Sequence, residues 1–179
     1  MRKKKLWLFC LLTLFSINLM AQTKSNYIVK LNFNFPSSSL ETVVNSRVGK
    51  GIEFEYQKTF FFDIPLSINI GFNRWNTGKS NFSGWESSKI KNVNIGVRAV
   101  LKQEEGKLKG LYSAIGFRLD RWRVEKDYNF YKSTLKGTFD IEFGFITKNG
   151  FLFSIRPYKV NLDKQIKAKF LEFSIGKRF

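Results

Sequence analysis

Two pairs of carboxylates, Glu53-x-Glu55 and Asp140-x-Glu142, are spaced so that an extended strand points both members of each pair the same way. Such a pair could hold a metal ion or divide the roles of acid and base. Ser67, Ser154 and Ser174 are hydroxyls that a base would turn into nucleophiles. That base is missing: the 179 residues include no histidine, the side chain that usually carries protons near neutral pH. No glycine-rich phosphate loop and no zinc-ligand spacing occur. The plainer chemistry is electrostatic. Arg98, Arg118, Arg156 and Arg178 fall at strand positions equivalent to those of Glu53, Glu55, Asp120, Asp140, Glu142 and Glu172. The sequence therefore predicts an enclosed network of ion pairs among these ten residues, with no catalytic centre, metal or cofactor.

Elements that could position such a network are written in a period of two. Tyr27, Val29, Leu31, Phe33 and Phe35 alternate with Lys30, Asn32 and Asn34, and Ile52, Phe54 and Tyr56 with Glu53, Glu55 and Gln57. The same alternation recurs from Leu66 to Asn73, Asn92 to Ala99, Leu111 to Asp120, Leu135 to Phe145, Phe151 to Arg156 and Leu171 to Phe179. Eight strands follow, about nine to eleven residues each where the pattern is cleanest, a length that suits a tilted bilayer crossing. The connections alternate as well. Pro36 to Lys50, Asn76 to Ser88 and Trp122 to Ser133 are long and polar, whereas Thr59 to Ile64, Lys102 to Lys109 and Thr147 to Gly150 are short. Asn149-Gly150 is a strong hairpin signal. In the long connections Lys79, Lys89, Lys91, Lys126 and Lys132 stand among Trp85, Tyr128, Phe130 and Tyr131, a mixture that suits lipopolysaccharide phosphates or a protein partner.

Alternation does not say which face points inward. Gly51, Gly71, Gly96, Gly116, Gly144 and Gly176 all lie on the polar face, as a cramped lumen requires. The polar face is nearly charge-balanced, with Lys30 and Lys136 joining the four arginines. Aromatic residues gather toward two rims, Tyr27, Phe60, Phe61, Phe62, Phe151 and Phe179 at one and Phe35, Trp75, Trp122 and Tyr158 at the other, as bilayer interfaces favour. The reading is a barrel with its polar face inside. The alternative is a soluble periplasmic, lipocalin-like barrel with its apolar face around an apolar ligand.

The chain begins with Arg2, Lys3, Lys4 and Lys5, then an apolar stretch from Leu6 to Met20 and the small residue Ala21. This is the pattern of an export signal cut between Ala21 and Gln22, and it is short for a membrane-spanning helix. Residues 1–21 are then a cleaved signal peptide and 22–179 a single barrel domain. Cys10, the lone cysteine, leaves with the signal, so no disulfide or thiolate site is expected in the mature chain. The whole chain carries a net charge of +17, and loss of the four leading basic residues still leaves the mature chain strongly basic. An exported basic protein meets anionic lipid rather than nucleic acid.

The closing run Phe173-Ser174-Ile175-Gly176-Lys177-Arg178-Phe179, preceded by Leu171, resembles the last strand of small outer-membrane barrels. With the signal peptide and the alternation, the mature chain resembles the OmpA/OmpX-like outer-membrane β-barrel superfamily of the Gram-negative envelope. That resemblance implies an eight-stranded up-and-down transmembrane barrel, monomeric, with both termini in the periplasm. It also implies that the barrel assembly machinery reads Leu171, Phe173, Ile175, Gly176 and Phe179. The function expected is structural or interactive, through the loops, rather than that of an open porin or a catalyst. Pro157, in the seventh strand, departs from the pattern because it lacks a ladder donor, and it should sit at a bulge or near a strand end.

Overall fold

A computed structural model describes residues 25–37, 48–59, 64–76, 88–102, 105–106, 108–126, 129–161 and 167–179. The proposed cleavage site at Ala21 and Gln22 lies outside them, as do Phe60, Phe61 and Phe62. The described residues form eight strands: β1 (Ser25–Ser37), β2 (Gly49–Thr59), β3 (Pro65–Asn76), β4 (Ser88–Lys102), β5 (Leu111–Lys126), β6 (Asn129–Ile146), β7 (Phe151–Asn161) and β8 (Lys167–Arg178). Each pairs antiparallel with its sequence neighbour, and β8 closes on β1 to make a barrel. The closure runs to the last residue, since Phe179 donates its N–H to the Tyr27 carbonyl at 2.8 Å.

The barrel is turned with its polar face inside. Lys30, Glu53, Arg98, Asp140, Glu142 and Arg156 are buried, while Ile68, Ile70, Ile95, Val97, Phe117 and Phe139 are exposed on the outside. This is the reverse of a soluble barrel around an apolar ligand, and a wall so apolar needs hydrocarbon as its solvent. Alternation in the sequence thus becomes an inner polar and an outer apolar surface of a transmembrane barrel, because successive side chains leave a strand on opposite faces.

Three details bear on the site. The turn Thr147–Gly150 places Gly150 at φ 80°, a backbone conformation that side chains disfavour, and Gly150 donates to the Thr147 carbonyl at 2.9 Å. At Gly176 an added Cβ would lie 2.6 Å from the Val29 carbonyl oxygen and 3.0 Å from Lys30 Cγ, so the glycine of the closing run makes room for an inward lysine. Third, the stretch expected as a loop from Trp122 to Ser133 is mostly strand. β5 continues to Lys126 and β6 begins at Asn129, with a bulge at Val124/Glu125. Polar residues at these positions signalled a loop, but a hairpin that projects beyond a membrane has water on both faces and needs no apolar side.

Candidate functional site

The lumen is filled in layers. At the end that carries the termini, Ile28, Val100, Tyr112, Ala114, Ile146 and Leu152 form an apolar cluster. Above it lies the ion cluster. Lys30 Nζ is 2.7 Å from Glu142 and 2.8 Å from Glu55. Arg98 reaches Glu53 at 2.9 Å, Glu55 at 2.8 Å and Glu142 at 2.5 Å. Arg156 pairs with Glu53 at 2.8 Å and Glu172 at 3.0 Å, and it also contacts Glu142. Tyr112 Oη donates to Glu142 at 2.5 Å. Asp140 lies 3.3 Å from Arg156 Nε, within ion-pair range but without hydrogen-bond geometry. The cluster draws on β1, β2, β4, β5, β6, β7 and β8, so it ties together strands far apart in sequence.

Arg118 and Asp120 stand apart from this cluster. They pair with each other at 3.1 Å, and Asp120 accepts from Thr138 Oγ1 at 2.6 Å and from Asn92 Nδ2 at 3.0 Å. Asn73 Nδ2 donates to Asn92 at 3.4 Å, and Asn34 Nδ2 to Asn73 at 3.0 Å, which extends a polar chain across the lumen. Arg178, at the rim opposite Ile28, makes no ion pair among the described residues. Its strand ends there, where water reaches the side chain and no buried partner is required. Lys30, which the sequence sets on the charge-balanced polar face, sits within reach of three glutamates. Its parity on β1 was the signal, but its partners depend on strand stagger, which sequence does not give.

At the far end the lumen closes with aromatic rings. Trp75 stacks on Trp122 at a centroid distance of 5.4 Å, Trp122 on Phe170 at 5.4 Å and Phe170 on Tyr158 at 4.7 Å. The Arg118 guanidinium lies 4.3 Å from the Tyr158 ring centre, and Tyr158 Oη donates to Asn34 at 3.2 Å. This corrects the expected far girdle: Trp75, Trp122 and Tyr158 are inside, and of the four only Phe35 faces out. Parity explains it, since Trp75 follows Asn73, Trp122 follows Asp120 and Tyr158 follows Arg156 on the same face. At the terminal rim Tyr27, Phe151 and Phe179 do face outward. Lys177 folds over Phe151, 4.4 Å from the ring centre, and donates to the Asn149 carbonyl.

The outer surface carries a second pattern that the alternation concealed. Lys50 lies opposite Arg74, Arg74 opposite Lys91, and Lys91 opposite Arg123, so one basic residue from each of β2, β3, β4 and β5 forms a continuous row. All four share the outward parity of Ile52, Phe72, Val93 and Leu119 on their strands. Four residues toward the terminal end the same register reads Phe54, Ile70, Ile95 and Leu119. The wall thus passes from a basic row to unbroken apolar surface over roughly 13 Å. Lys79, Trp85 and Tyr128 lie outside the described residues, as do the side chains of Lys89, Lys126, Phe130, Tyr131 and Lys132.

The sequence matches no family model and no curated protein. Solved structures do match. Ail, the attachment invasion locus protein of Yersinia pestis, in complex with the heparin analogue sucrose octasulfate, aligns with a TM-score of 0.57 at 14% identity, over 88% of this chain and 99% of that one. Neisserial surface protein A aligns with a TM-score of 0.55 at 15% identity, over 86% and 95%. The chain has the fold of the small outer-membrane β-barrels. The N-terminal β-barrel domain of Pseudomonas aeruginosa OprF shares it too, with a TM-score of 0.51 at 6% identity, over 88% of this chain and all of that one. At such identities an outer-membrane barrel fold is kept by parity and closure rather than by particular residues.

Proposed function

We propose that this protein is an integral outer-membrane barrel whose work is done at its far rim, where basic side chains bind anionic headgroups, with lipopolysaccharide phosphates the natural ligand. The observation that carries this is the row Lys50, Arg74, Lys91 and Arg123 set just beyond the apolar belt. Four cations side by side at that level make a positive field that anionic headgroups meet. Each lysine or arginine near an anionic membrane surface contributes about 1 kcal/mol. The solved complex of Ail with sucrose octasulfate supports the reading, because a barrel of this fold there accepts a polyanion. In the same proposal residues 1–21 are removed on export, both termini lie in the periplasm and the barrel is monomeric. Its role is neither catalysis nor diffusion.

The test is refolding into phosphatidylcholine vesicles with and without lipopolysaccharide. Lipopolysaccharide should raise the unfolding midpoint, and Lys50→Gln with Arg74→Gln and Arg123→Gln should abolish most of that gain. An equal gain in the variant would remove the row from the function.

A further inference from the structure

Between β6 and β7 the ladder holds four residue pairs, from Phe143 opposite Ile155 to Ile146 opposite Leu152. Every other neighbouring pair of strands is joined over ten or more. Beyond Ile155, β7 runs on to Asn161 paired only with β8, and the rest of β6 is paired only with β5, among the described residues. Along its far half this seam has no ladder pairs, within a barrel that is closed as a whole. Pro157 stands two residues past the last pair and has no N–H to give a ladder.

A groove of about 590 Å³ occupies the opening, within the range of small-molecule sites. Phe139 and Ile141 of β6 form one wall and Pro157 the other, while the inward rings Tyr158 and Phe170 make the floor. That floor belongs to the stack that continues through Trp122 to Trp75. Lys159 and Lys169 also line it. They are exposed and lie directly opposite each other on β7 and β8, a second like-charge pair at the far end. Unpaired backbone facing a bilayer costs several kcal/mol per group unless something polar meets it.

We propose that this seam binds one phosphate-headed anionic lipid from the surrounding leaflet. Its headgroup lies between Lys159 and Lys169, its acyl carbonyl oxygens accept from the unpaired strand edge, and an acyl chain rests against Phe139, Ile141 and the aromatic floor. A strand from another molecule would meet the same edge, but Pro157 interrupts the ladder it would need. The proposal rests on the far rim lying at the level of anionic headgroups, and it differs from the row on β2 to β5 in requiring a chain inside the wall.

Trp75 and Trp122 report on the floor once Trp7→Phe and Trp85→Phe remove the other two tryptophans. The full chain, also carrying Cys10→Ser, Ile141→Cys and Pro157→Cys, is refolded into vesicles doped with acyl-brominated phosphatidylglycerol or phosphatidylcholine. The reduced form should be quenched more strongly by the anionic lipid, and oxidation across the seam should remove most of the quenching. In the background that keeps Trp75 and Trp122 and has no cysteine, Lys159→Gln with Lys169→Gln, at exposed positions, should erase the preference for the anionic lipid and leave the circular dichroism unchanged. Equal quenching before and after oxidation, or by both lipids in the parent, would overturn the proposal. So would a disulfide-linked dimer, which would give the edge to a second copy. Loss of lipopolysaccharide stabilisation in the row variant with seam quenching intact separates the two readings.

Discussion

Glu142 accepts from Lys30, Arg98, Arg156 and Tyr112, so its carboxylate is the point at which four strands besides its own are joined. Breaking a buried pair by removing one partner leaves charge without compensation and costs about 3–5 kcal/mol, far more than an exposed pair is worth. Glu142→Gln should therefore lower the unfolding free energy by about that amount in a urea titration of the refolded barrel. A loss below about 1 kcal/mol, the scale of a surface pair, would mean that water reaches the cluster. The same reasoning on the outer face uses Ile95, whose exposed side chain lies in the apolar belt between Ile70 and Leu119. Ile95→Arg should cost about 2–4 kcal/mol in a bilayer, and a negligible cost would place the belt away from the membrane midplane. Parity named the members of the ion cluster, but which acid meets which base depends on stagger between strands, and no residue states that.

At the scale of elements, the strands were legible wherever one face had to be apolar, and illegible where that requirement lapsed. β5 and β6 run past Trp122 and Ser133 in residues that looked like a loop, because a projecting hairpin has no apolar side to display. The β6–β7 seam was hidden for a different reason. Alternation continues through Arg156 and Tyr158 whether or not the neighbouring strand is bonded, and Pro157 alone marks the break. β8 is the element whose sequence says most. Phe173, Ile175 and Phe179 face outward, Gly176 leaves room for Lys30, and Phe179 bonds to Tyr27 to complete the closure. Deleting Phe179 removes that final contact and, on the reading that the assembly machinery recognises this strand, its recognition residue as well. Expressed in a Gram-negative host, the deletion should reduce the heat-shifted band in the outer-membrane fraction. A band as strong as that of the parent would separate the terminal aromatic from assembly.

For the whole molecule, the layering of the lumen decides what can pass. An eight-stranded barrel is just wide enough for its own side chains to fill. Here an apolar cluster, an ion cluster, a polar chain and a stack of aromatic rings succeed one another from the terminal end to the far end. Trp75 and Trp122 are almost wholly buried inside the wall, so an ion entering from the far rim meets hydrocarbon before it meets charge. Ion pairs beneath would conduct only if their partners separated, and each separation carries the cost argued for Glu142. The refolded protein should therefore show no stepwise conductance in a planar lipid bilayer. Trp75→Ala with Trp122→Ala should admit water to the polar chain yet leave conduction blocked by the cluster below. Discrete openings in the parent would require a lumen that rearranges as a whole, and they would transfer the function from the rim to the interior. If openings appeared only after the tryptophans were truncated, the aromatic stack would be the barrier and the ion cluster a leaky layer.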